Sequence, residues 1–68
     1  MADGITNSVR AAREAKGWTQ GELAERIGVS RKTVNTVENG VFIPSTVVAL
    51  KLARTLGSSV EELFSLVD

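Results

Sequence analysis

Only three residues, Gly28-Val29-Ser30, separate two amphipathic helical patterns in the middle of the chain. Helices joined by so short a connection cannot lie antiparallel along their length; they must cross steeply, as in a helix-turn-helix. Such a crossing needs a small side chain at the contact, and Ala24 supplies one. It also needs a residue tolerant of positive φ at the reversal, which Gly28 provides. Leu23, Ile27, Val29, Val34 and Val37 are placed to fill the angle between the two helices. Each feature is common alone, but together they specify one local geometry.

The flanking sequence is punctuated in the same style. Thr19-Gln20-Gly21-Glu22 has capping-box spacing, with Trp18 before it and Leu23 where a hydrophobic staple would meet that ring. This placement assigns Trp18 to the core and not to stacking on a ligand. Ser30 is the expected N-cap of a third helix over Arg31 to about Asn39, closed by Gly40. Upstream, Ile5, Val9 and Ala12 follow helical spacing, so a first helix is predicted from about Thr6 to Lys16, ended by Gly17. Downstream, Pro44-Ser45 opens a fourth helix with Ala49, Leu52, Ala53 and Leu56 inward, stopped by Gly57. Ser59-Val60-Glu61-Glu62 is a second capping box, opening a short helix that carries Val60, Leu63 and Phe64 inward and that Leu66 and Val67 extend. The expected fold is all-α: one compact five-helix bundle spanning 1–68, with the helix-turn-helix at 20–39. Met1 and the close after Phe64 suggest a complete product.

Composition narrows the function classes. The chain has no Cys and no His, so disulfides, the usual zinc sites and a histidine general base are unavailable. With 68 residues, no Tyr and no phosphate-cradling glycine loop, an enzyme is not expected; nor is a cofactor, metal or small-molecule ligand. The longest apolar runs, 41–43 and 47–50, fall far short of the roughly 20 residues of a membrane span, and a cytoplasmic protein is expected. Eight basic and eight acidic residues cancel, which argues against nucleic acid unless charge is clustered.

The third helix is where it clusters. At ~100° per residue, Ser30, Val34, Val37 and Glu38 fall toward the core, while Lys32, Asn35, Thr36 and Asn39 face away with Arg31 beside them. The outward face has two cations, amides and hydroxyls, and no acid. That inventory suits the base edges of a DNA major groove. Glu38, on the inner side, needs a partner because an unpaired buried carboxylate is costly. Arg13 on the first helix is expected to provide it.

These residues resemble the Cro and phage-repressor type helix-turn-helix regulators, the XRE family, with its lambda repressor-like fold. The resemblance rests on 19–24, 28–34, 37–40, Pro44-Ser45 and 61–64, and covers about residues 5 to 66. It implies an operator-binding homodimer with the third helix in the major groove of double-stranded DNA. It also implies DNA contacts at Ser30, Arg31, Lys32, Asn35 and Thr36, a role for Gln20 in holding a phosphate and buttressing the base contacts, and an Arg13–Glu38 ion pair. Arg31, at the first helical position, can serve a phosphate or a base, and the sequence leaves that division open. Relatives often carry Lys or Arg after the Asn39-Gly40 pair, where this chain has Val41.

Apolar residues exceed what so small a bundle can hide. Phe42 is expected to pack on the fourth helix, and Phe42, Leu66 and Val67, with Val47 and Leu50 nearby, are candidates for a dimer surface. The expected function is a sequence-specific transcriptional regulator, a repressor acting as a homodimer on a palindromic operator at the nucleoid. The alternatives are an antitoxin or restriction-modification controller of the same fold, and a protein-interaction adaptor that has lost DNA binding.

Overall fold

Local capping chemistry sets most of the boundaries. The computed structural model describes residues 4–67. In it β1 (Gly4–Asn7) leads into α1 (Val9–Ala15), α2 (Gln20–Ile27), α3 (Arg31–Glu38), α4 (Thr46–Leu56), α5 (Val60–Leu63) and β2 (Phe64–Val67). The Thr19 capping box closes in both directions: Thr19 Oγ1 accepts from the Glu22 amide at 3.0 Å, and the Thr19 amide donates to Glu22 Oε1 at 2.8 Å. Ser30, Ser45 and Ser59 cap α3, α4 and α5 by accepting from the amides of Thr33, Val48 and Glu62. Each satisfies one amide that has no partner within its own helix.

The reversal after α2 is made by Gly28, at φ 74° and ψ 33°. The next amide, Val29, bonds back to the Ala24 carbonyl at 3.0 Å. The requirement there is conformational, since an added Cβ would meet nothing within 4 Å. The core fills the space this geometry encloses. Val9, Leu23, Ala24, Ile27, Val34, Val37, Leu52, Ala53, Leu56 and Leu63 are buried, with Trp18, Val29 and Phe64 packed against them.

Four expectations of the fold are corrected. First, the chain is not purely helical, because its two ends pair as an antiparallel ribbon with Ile5 opposite Leu66 and Asn7 opposite Phe64. Second, α1 begins at Val9 and not near Thr6. Asn7 is the reason: its Oδ1 accepts from the Val9 amide at 3.1 Å while its Nδ2 donates to the Val37 carbonyl at 2.9 Å. That pair of bonds fixes the start of α1 against the end of α3. Third, α5 stops at Leu63, and Phe64 is already extended at φ −126° and ψ 136°. Leu66 and Val67 therefore lie on a strand, not on a longer helix.

Phe42 also departs from its expected packing on α4, remaining 47% exposed. The amides of Val41 and Phe42 both donate to the Thr36 carbonyl, at 3.0 and 3.2 Å. This turn closes α3 tightly and holds both side chains over the surface.

Candidate nucleic-acid interface

A helix that offers an exposed polar face must be held rigidly from behind. Arg13 on α1 and Glu38 at the end of α3 do this. Arg13 Nε donates to Glu38 Oε2 at 2.7 Å and its Nη2 donates to Oε1 at 3.2 Å. Arg13 Nη1 donates to the Trp18 carbonyl at 2.8 Å, so one guanidinium ties together α1, α3 and the entry to α2. The side chains are 10% and 1% exposed. This fork geometry is one that arginine, and not lysine, can make. The hydrogen bond to Glu38 holds the Arg13 pKa above its ordinary value, against the opposing effect of burial.

Gln20 extends the network. Its Nε2 donates to Glu38 Oε1 at 3.0 Å and to Asn35 Oδ1 at 3.1 Å. Asn39 Nδ2 donates to the same Asn35 oxygen at 3.3 Å. The resemblance implied that Gln20 holds a phosphate and buttresses the base contacts; its amide protons are turned toward Glu38 and Asn35 on α3.

The outward side of α3 carries Arg31, Lys32 and Asn35, all exposed, with Thr36 half-buried beside them. The Thr36 hydroxyl shares its proton between the Lys32 and Thr33 carbonyls, both at 3.0 Å, so the side chain offers chiefly its methyl group. Ser30 is exposed, although wheel arithmetic placed it inward. An N-cap precedes the helical φ/ψ region, so helix periodicity does not govern where it points. Its Oγ is occupied by the Thr33 amide and lies 3.0 Å from the Thr33 hydroxyl.

One contact escaped sequence reasoning. Arg26 lies over the Trp18 ring, its Cζ 4.1 Å from the centroid, a cation–π pair that steadies the entry to α2. The signal was present as a cation eight residues after the tryptophan, but nothing local pairs those positions.

Residues 9–63 match the helix-turn-helix family model, a span that includes every element from α1 to α5. The chain belongs to the helix-turn-helix family. This helix-turn-helix protein is 44% identical, over 59 residues, to an uncharacterised regulator of that type from Methanothermobacter thermautotrophicus, covering 85% of this chain and 86% of that one. It is 33% identical over 52 residues to the antitoxin HipB of Escherichia coli, covering 76% of this chain and 55% of the antitoxin. Among solved structures, the restriction-modification controller protein C.AhdI from Aeromonas hydrophila superposes with a TM-score of 0.74 at 41% identity, covering 79% of this chain and 82% of that one.

Proposed function

We propose that this helix-turn-helix regulator binds double-stranded DNA sequence-specifically as a homodimer, with α3 in the major groove, and represses by occupying a palindromic operator. The observation that carries the reading is the exposed cationic and amide face of α3, braced from behind by the buried Arg13–Glu38 pair. Lys32, Arg31 and Asn35 supply base or phosphate contacts, Thr36 a methyl for thymine, and Ser30 the start of the helix that carries them. Because the Gln20 side chain is engaged with α3, phosphate is held by the backbone amides opening α2. The chain acts by binding and not by catalysis, at the nucleoid of the cytoplasm, and takes no cofactor.

A homodimer surface fits the apolar side of the molecule. Leu66 and Val67 are 72% and 49% exposed on β2, Phe42 projects from the 41–43 loop, and Val47 and Leu50 stand out from α4. A groove of about 350 Å³ that Leu50 borders is lined also by Ile5, Ile43, Pro44, Val60 and Phe64. A second copy related by a two-fold axis would cover this surface and set two α3 helices on successive turns of the duplex.

A selection from random-sequence duplex DNA at physiological salt tests the reading. The expected product is a palindrome with half-sites about one helical turn apart. No enriched sequence would favour an adaptor that keeps the fold without DNA. The similarities to C.AhdI and HipB favour a second reading, a controller or antitoxin serving a neighbouring restriction or toxin gene. Recovery of a stoichiometric complex with the product of such a neighbour would select it.

A further inference from the structure

From the hydrogen-bond polarity behind α3 we infer that Asn35 is a specificity-determining residue that presents only its amide NH₂ to DNA, and so rejects cytosine, whose major-groove edge offers no acceptor, at the position it meets. The inference rests on the regulator reading above and deepens it.

The polarity has a fixed starting point. Arg13 can only donate and an ionised Glu38 can only accept. Whatever Gln20 gives to Glu38 must therefore be its nitrogen, so the Gln20 amide has one permitted orientation. The second proton on that nitrogen reaches Asn35 at 3.1 Å, and the atom receiving it must be an oxygen. Asn39 Nδ2 donates to that oxygen as well, at 3.3 Å. A carbonyl oxygen has two lone pairs, and here both are taken. Among the described residues, none accepts from Asn35 Nδ2. The charge of a buried arginine is thus relayed through three side chains to decide which end of an exposed amide is available.

An asparagine free to turn pairs with adenine by accepting from N6 and donating to N7. Asn35 cannot accept from adenine N6 or cytosine N4 without breaking with Gln20 and Asn39. It can donate to guanine O6 or N7, to thymine O4 or to adenine N7, and it finds no acceptor on cytosine. One hydrogen bond of this kind corresponds to a preference of about five-fold.

The test compares selections and titrations on duplex DNA for the full chain and three variants, with helicity and melting temperature checked for each. Asn35→Ala should flatten a single base position where the unmodified chain disfavours cytosine. Asn35→Asp keeps the acceptor for Gln20 but turns an acceptor outward, so the same position should switch to favour cytosine or adenine. Gln20→Met releases the Asn35 amide and should reduce the discrimination against cytosine there to less than two-fold. The inference is overturned if Asn35→Asp retains the discrimination against cytosine, if Asn35→Ala alters no position, or if Gln20→Met leaves the discrimination intact. In any of these cases, flattening of another position by Lys32→Ala would leave the regulator reading standing. Absence of any enriched sequence for the unmodified chain would remove both.

Discussion

Arg13 concentrates more structural consequence than any other side chain in this protein. It is 8% exposed and uses its fork on Glu38 and the Trp18 carbonyl. Glu38→Ala leaves that guanidinium buried without its counter-charge, and we expect a loss of about 3–5 kcal/mol in chemical denaturation. That is a large part of the 5–15 kcal/mol typical of a folded domain, so DNA binding should fail with the fold. Glu38→Gln keeps a hydrogen-bond acceptor and should cost less. The pH dependence from Arg13 follows in sign. Its raised pKa stabilises the fold fully at all pH below the ordinary arginine value, and the contribution disappears only as pH rises through the higher folded value. Thermal melts should therefore show no loss from this pair between pH 6 and 9. Gly28 is a second position where one residue carries a geometric demand. Gly28→Ala has room for its methyl but must hold positive φ, and should destabilise by about 1–2 kcal/mol in the same measurement.

Elements whose signals are local were legible in the sequence. Thr19, Ser30, Ser45 and Ser59 sit at helix starts, and Gly28 and Gly57 close α2 and α4 in the left-handed region. Each signal acts over three or four residues, within reach of a sequence reading. The ribbon was not legible, because Ile5 and Leu66 meet only in the folded state and strands of four residues are too short to display alternation. Ile5 also mimics the helical spacing of Val9 and Ala12, which drew α1 toward Thr6. In the site, the Arg13–Glu38 pair could be anticipated from an acid on the core side of α3. The resemblance implied that Gln20 buttresses the base-facing side chains, but which end of its amide does so was not legible, since either end can face a neighbour until that neighbour's polarity is known. Ser30→Ala removes the cap of α3 and should cost about 1 kcal/mol. Read by hydrogen exchange, the loss should appear first at the Thr33 and Val34 amides, loosening the N-terminal turn that carries Arg31 and Lys32.

At the scale of the whole molecule, the hydrogen-bonding face of α3 and the exposed large apolar side chains lie on different elements. The cations and amides of α3 face outward from the helix-turn-helix, while β2, α4 and the 41–43 loop expose Leu66, Val47, Leu50, Val41 and Phe42. The proposed homodimer would use both sets at once. Leu66→Glu should leave the melting of a monomer little changed, since Leu66 is 72% exposed. It should convert a dimer to monomer in sedimentation at tens of micromolar and weaken operator binding at least ten-fold. A monomeric unmodified protein, with and without operator DNA, would retire the dimer.

The end-to-end ribbon has a topological consequence. Gly4 lies directly across from Val67, so close that a Cβ added at Gly4 would come within 3.2 Å of the valine. A short peptide bridge between those positions would convert the chain into a covalent ring without disturbing the face of α3. By the loop-entropy reasoning used for cross-links, such circularisation would disfavour the denatured ensemble by about 4 kcal/mol. A molecule cyclised in this way would keep its grip on the duplex at temperatures where the linear form has melted away from it.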